Sequence, residues 1–221
     1  MYKSFKLKYI YFILISSLYW YPSYSNDLIV TKIENQIKIV DKYGNKFTLG
    51  QNYILKNGDF LNSVDKNSYL IFNKTKLCLG KNSSIKIKQI KSNLITIEHV
   101  KGSLLINNQE NNKLNFKIEI FDNLISNFKN KIYTKKLNKK QFILKSFSNA
   151  NFKPNSSQNI INIKKNATYI FDQILKKNLV KNILESPLIK NCLTNKKRIE
   201  TNHQKLFRCK PNFSKLICGF Q

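Results

Sequence analysis

Alternation of isoleucine with charged or polar residues constrains this chain more than any other feature. In Ser84-Ile85-Lys86-Ile87-Lys88 the isoleucines face one way and the lysines the other. Lys38 separates Ile37 from Ile39 in the same manner, and Ile95 and Ile97 share a face opposite Thr96 and Glu98. A period of two places successive side chains on opposite sides of an extended backbone, so these segments read as half-buried strands. Tyr43-Gly44-Asn45 and Lys56-Asn57-Gly58-Asp59 supply turns, because Gly and Asn tolerate positive φ. Five of the six glycines fall between Gly44 and Gly102; from Glu110 to about Asn166 Asn takes over the turn positions. The expected fold is mainly β, an antiparallel β-sandwich or a short β-solenoid.

The first 25 residues read separately. Lys3, Lys6 and Lys8 form a positive n-region, Tyr9 to Trp20 an apolar run, and Ser23-Tyr24-Ser25 a small-residue exit. That order predicts a signal peptide over 1–25, cleaved after Ser25 into an oxidising compartment. The apolar run is shorter than the ~20 residues a membrane-spanning helix needs. An uncleaved N-terminal anchor is the competing expectation.

The net charge of +27 is discounted by composition. The chain carries 37 Lys, 31 Asn and 29 Ile but 2 Arg and 2 Ala, the mark of an A- and T-rich gene. Removal of the leader leaves +24. Such a surface is drawn to phosphate- or carboxylate-rich partners. Nucleic acid is not expected, since its binders rely on the bidentate guanidinium that this chain nearly lacks.

Beyond the leader the expected organisation is a β domain over 26–110, a continuing β region over 111–166, and a helix with a cysteine-containing tail over 167–221. Phe171, Leu175, Leu179 and Ile183 lie four apart, Thr168 stands ready as an N-cap and Ser186-Pro187 as a stop. That spacing predicts one amphipathic helix. Lys131, Lys135, Lys136, Lys139 and Lys140 lie in or beside a stretch read as an exposed loop or edge, and form the candidate electrostatic contact.

The four cysteines, Cys78, Cys192, Cys209 and Cys218, suggest two disulfides with three possible connectivities. The expected pairing joins Cys192 to Cys209 or Cys218 and the remaining cysteine to Cys78, which is out of phase with Leu77 and Leu79 and so sits on the sheet's outer face. A zinc site from Cys192, Cys209, Cys218 and His203 has the right ligand count but lacks a close Cys-x2–4-Cys pair. His99 shares the Ile95–Ile97 face and reads as a structural histidine. Gly-x-Ser-x-Gly, a Gly-rich phosphate loop and His-Glu-x-x-His are all missing from the sequence. Glu98, Glu119 and Asp122 are the carboxylates that strand pairing brings within reach of one another, if any acid pair exists. The chain is read as non-enzymatic, with no cofactor and no metal.

An ordered series runs through residues 47–106. It starts with Phe47-Thr48-Leu49-Gly50, the turn Asn57-Gly58-Asp59 and Ser63. Tyr69-Leu70-Ile71-Phe72, Lys76-Leu77-Cys78-Leu79 and Ser84-Ile85-Lys86-Ile87 follow, and Ile97 to Ser103 closes it around Gly102. The series resembles the FecR domain of bacterial envelope proteins, with Gly50, Gly58, Asp59, Ser63 and Gly102 at the family's motif positions. Two departures stand out. The family's Asp-Gly-Ser hairpin turn is Asn73-Lys74-Thr75 here, and its later Arg-Gly-Thr segment has no counterpart between Leu124 and Tyr133. The resemblance implies an all-β periplasmic module that binds other proteins and carries no catalytic residues. The best-known members add a cytoplasmic anti-sigma segment and a membrane helix. The early export signal leaves no room for that segment, so the external module alone is expected. A protein partner in the envelope is therefore expected; the alternative is a basic adaptor on lipopolysaccharide or peptidoglycan.

Overall fold

The structure, a computed structural model, describes residues 28–109, 111–155, 159–172, 176–179, 186–190 and 192. The expected leader over 1–25, His203, Cys209 and Cys218 lie outside the described residues. In chain order the strands begin with β1 (Leu28–Glu34), β2 (Ile37–Val40), β3 (Lys46–Thr48), β4 (Ile54–Leu55), β5 (Phe60–Ser63) and β6 (Ser68–Phe72). They continue with β7 (Thr75–Leu79), β8 (Ser83–Lys91), β9 (Leu94–Lys101), β10 (Ser103–Asn108), β11 (Asn115–Ile120) and β12 (Asn123–Ser126). The last are β13 (Lys131–Lys136), β14 (Gln141–Ser146), β15 (Ala150–Lys153), β16 (Ile161–Ile163), β17 (Thr168–Asp172) and β18 (Lys176–Leu179).

These strands form two nine-stranded sheets, mainly antiparallel, packed as a sandwich. Sheet I runs β18-β17-β14-β13-β10-β7-β6-β1-β4 and sheet II runs β16-β15-β12-β11-β9-β8-β5-β2-β3. From β5 onward the chain alternates between the sheets, placing one or two strands at a time. The sandwich therefore lengthens in chain order, and β9 and β11 meet as a parallel pair. One hydrophobic core runs from Leu28 through Ile85, Ile97 and Ile118 to Phe171. The alternating isoleucines are its inward rows: Ile37, Ile39, Ile85, Ile87, Ile95 and Ile97 are all buried. Aromatic rings fill the late end, where Phe142 on β14, Phe152 on β15 and Phe171 on β17 lie 4.1–5.9 Å apart.

Asparagine does glycine's work in the turns. Among the described residues, six of the ten non-glycine residues with positive φ are Asn: Asn35, Asn52, Asn73, Asn82, Asn127 and Asn166. Asn tolerates the left-handed region better than other side chains, which is how a chain this poor in glycine turns so often.

The helix expected from Thr168 gives way to strands over the described residues 168–172 and 176–179; 173–175 and 180–185 lie outside them. Residues 168–172 are β17, paired with β14 from Gln141↔Asp172 to Lys145↔Thr168, and β18 pairs with β17. A spacing of four is two strand repeats as well as about one helical turn, so the pattern fits both, and the open edge of β14 decides for a strand. Tyr169 and Phe171 enter the core accordingly. Helical structure appears instead as a short turn at 187–190.

Candidate functional site

The two outer faces of the sandwich differ in chemistry. On sheet I, Tyr69, Cys78, Leu105, Tyr133 and Ile143 form an apolar patch, and Leu188, Ile189 and Cys192 cover it. Cys78 and Cys192 are joined by a disulfide with Cα atoms 6.4 Å apart, across 114 positions of sequence. The pairing of Cys192 with Cys209 or Cys218 is thus corrected. Cys78 stands on the outer face between Tyr69 and Leu105, its register neighbours on β6 and β10, and Leu188, Ile189 and Cys192 lie against it. Its sulfur so engaged, Cys192 is also withdrawn from the zinc set. Lys76 completes the strap. Its ammonium lies 3.8 Å from the centre of the Tyr69 ring and donates to the Cys192 carbonyl at 3.0 Å. Burial lowers the Lys76 pKa from the usual lysine range.

The outer face of sheet II is polar. Register places Thr48, Lys38, Asn62, Ser84 and Lys101 side by side across β3, β2, β5, β8 and β9. These residues line a groove of about 610 Å³, to which Lys46 and Phe47 also contribute. No Asp or Glu lines it, and Lys38, Lys46 and Lys101 have no carboxylate partner among the described residues. This groove is the candidate site. The sequence shows each member only as the polar position of a separate strand; their meeting depends on register, which one sequence does not print.

Four of the five positions that carry the FecR resemblance hold the scaffold. Gly58 takes φ +94°, and a Cβ there would sit 2.9 Å from that of Lys42. Asp59 is buried, and one carboxylate oxygen accepts from the Lys56 amide at 2.7 Å and from the Tyr53 hydroxyl at 3.1 Å. The other oxygen has no partner among the described residues, and desolvation raises the Asp59 pKa. Burial, then the charge of Asp59, pushes the Tyr53 phenol up to about 12. The Ser63 hydroxyl donates to the Lys66 carbonyl at 2.6 Å. Gly102 takes φ +77° with its missing Cβ 2.7 Å from the Ser83 Cα. Gly50 faces open space.

His99 is fully buried and joins the sheets. Its Nδ1 lies 2.9 Å from the Thr134 hydroxyl oxygen on β13, and its Nε2 lies 3.2 Å from the Lys101 carbonyl. The carbonyl can only accept, so Nε2 carries the proton and Nδ1 accepts from Thr134. Desolvation, helped by the nearby Lys136 charge, lowers the His99 pKa to about 3, and the ring is neutral at pH 7.

The five candidate contact lysines do not form one patch. Lys131–Lys136 is the strand β13, held between β10 and β14 rather than in a loop or at an edge. Ile132, Tyr133 and Thr134 are buried there, and their strand-forming, partly apolar side chains outweigh the flanking charges. The Lys136 ammonium lies 4.0 Å from the centre of the Phe121 ring, and burial lowers its pKa. Lys135 is exposed and Lys131 partly buried, whereas Lys139 and Lys140 are exposed in the β13–β14 turn. Among the carboxylates, Glu98 and Glu119 are register partners on β9 and β11. Glu119 is tied to Lys88 at 2.7 Å, while Asp122 sits in the β11–β12 turn.

No family profile matches the chain. No curated protein matches it either. Among solved structures it is similar to two crystal structures of a candidate anti-sigma factor from Parabacteroides distasonis ATCC 8503. One has 9% identity and a TM-score of 0.47, covering 72% of this chain and 82% of that one. The other has 11% identity and a TM-score of 0.46, covering 71% and 82%. So loose a likeness carries no functional inference.

Proposed function

We propose that this chain is a non-enzymatic protein-interaction or signalling module of the bacterial envelope, working in the periplasm after export. The observation that carries this reading is how the polar interior is used. Asp59 holds a turn, Ser63 closes a loop and His99 bolts the sheets together. The working parts are then the surface and the strand edges. β3 ends sheet II with all three residues exposed, Phe47 among them. An edge of this kind accepts a partner's strand, and the lysine-rich surface steers an acidic partner toward it.

The test is affinity capture by the tagged mature chain from native envelopes, washed at low and high salt, beside a Thr48→Pro variant, which removes an amide that points to the open edge of β3. A discrete protein held at high salt by the parent and lost by the folded variant is the expected result. Equal retention by both proteins removes β3 as the contact, and loss of every protein at high salt overturns the reading. A second reading, a basic adaptor on anionic envelope polymers, draws support from the unpaired lysines of the sheet II groove.

A further inference from the structure

We infer that the groove on the outer face of sheet II is a binding site for an anionic oligosaccharide. The inference rests on the second reading above and goes beyond a general attraction by charge, because it assigns one site and one mode of recognition.

Three observations converge there. Register aligns Lys38, Asn62, Ser84 and Lys101 on four adjacent strands. Strand spacing puts Lys38 and Lys101 three steps apart, about 14 Å, with an amide and a hydroxyl between them. Asn62 and Ser84 both line the groove, Ser84 at its buried floor, and neither side chain makes a hydrogen bond to other described residues. Lys46 adds a third ammonium, and no carboxylate lines the cleft to neutralise it.

This alternation of cation, amide, hydroxyl and cation fits a polymer that offers a hydroxyl or an acid group at short, regular intervals. Sugar hydroxyls both donate and accept, matching Asn62 and Ser84. An acidic polypeptide fits less well. The row crosses the strands, so a peptide lying along it meets side chains and no backbone ladder, and β3 offers only three residues for pairing. The lysines act as point charges, so the site reads charge and spacing rather than the planar geometry that arginine would read.

The experiment measures binding of polygalacturonate oligosaccharides to the mature chain by calorimetry. Its arms are the methyl-esterified oligosaccharides, which lose the charge but keep the backbone, and polyglutamate of matched charge. Two lysine pairs are compared, Lys38→Gln with Lys101→Gln in the groove and Lys139→Gln with Lys140→Gln in the β13–β14 turn. Asn62→Ala with Ser84→Ala tests the neutral contacts at constant net charge. Circular dichroism confirms that each variant retains the parent fold.

The expected results are saturable binding of the charged oligosaccharide and a loss on the order of tenfold in the groove lysine pair. A loss of similar direction is expected in the Asn62–Ser84 pair, with little change in the turn pair. Equal losses in the two lysine pairs overturn the groove and leave the adaptor reading standing. Tighter binding of polyglutamate than of polygalacturonate overturns the ligand class. Absence of any oligosaccharide binding by the parent overturns the site and the adaptor reading together.

Discussion

Nδ1 of His99 on β9 accepts a hydrogen bond from the Thr134 hydroxyl on β13 at 2.9 Å, a contact that passes through the core from sheet II to sheet I. The imidazole has to be neutral to accept it. An unfolded histidine titrates near 6.5, whereas in the fold the pKa is lowered to about 3. Between these values the unfolded chain binds a proton that the folded chain excludes, so stability is full above pH 6.5 and is lost as pH falls toward 3. The slope from this group approaches about 1.4 kcal/mol per pH unit. Urea unfolding of the parent and a His99→Gln variant from pH 7 to pH 4 is the check. The variant is expected to be less stable at pH 7, and the gap is expected to shrink or reverse on acidification.

The Cys78–Cys192 bond closes a long loop and pins an apolar cover on sheet I. Loop-closure entropy for a span of this size corresponds to about 4–5 kcal/mol, with measured values for native disulfides often smaller. Cys78→Ser with Cys192→Ser is expected to lower the melting temperature and to increase binding of an apolar dye, as Leu105, Tyr133 and Ile143 lose their cover. Peptide mapping without reductant is expected to recover the Cys78–Cys192 pair. Recovery of Cys192 linked to Cys209 would refute this packing.

The β6–β7 turn carries two residues at positive φ, Asn73 at 41° and Lys74 at 62°. Asn suits that region and Lys does not. Lys74→Gly removes a left-handed penalty of about 1–2 kcal/mol, partly offset by the greater freedom of glycine in the unfolded chain. The expected net gain is about 0.5–1 kcal/mol, read by calorimetry as a rise of about 1–4 °C. Lys74→Ala is expected to give no such gain.

Gly102→Ala combines two costs, because the backbone there is left-handed and the added Cβ would meet the Ser83 backbone. A loss of about 2–5 kcal/mol is expected from the two together. Gly50→Ala meets neither cost and is expected to fall within about 0.5 kcal/mol of the parent. Denaturant titration of the two variants distinguishes a glycine the fold requires from one that merely shares the motif.

Local pattern was enough for most of the strands and for much of the turn chemistry. Ile85, Ile87, Ile95 and Ile97 declare their face by alternation, and His99 declares its burial by sharing it. The pattern failed where one spacing served two structures, as at Phe171 and Leu179, which lie on β17 and β18. It failed again at Lys131–Lys136, where charge at both ends masked the buried Ile132, Tyr133 and Thr134 between them.

The sequence by itself determined that this chain builds sheets, which side of each strand is buried, and where many of the turns fall. Those properties depend on side-chain order along one extended segment, and a period of two records them directly. Only the tertiary structure decided which strands are neighbours. Register aligned Lys38, Asn62, Ser84 and Lys101, brought His99 to Thr134, and set Cys78 beneath Cys192. Each of these is a contact between residues far apart in the chain, fixed by the joint packing of two sheets around one core, and no local segment encodes such a contact alone.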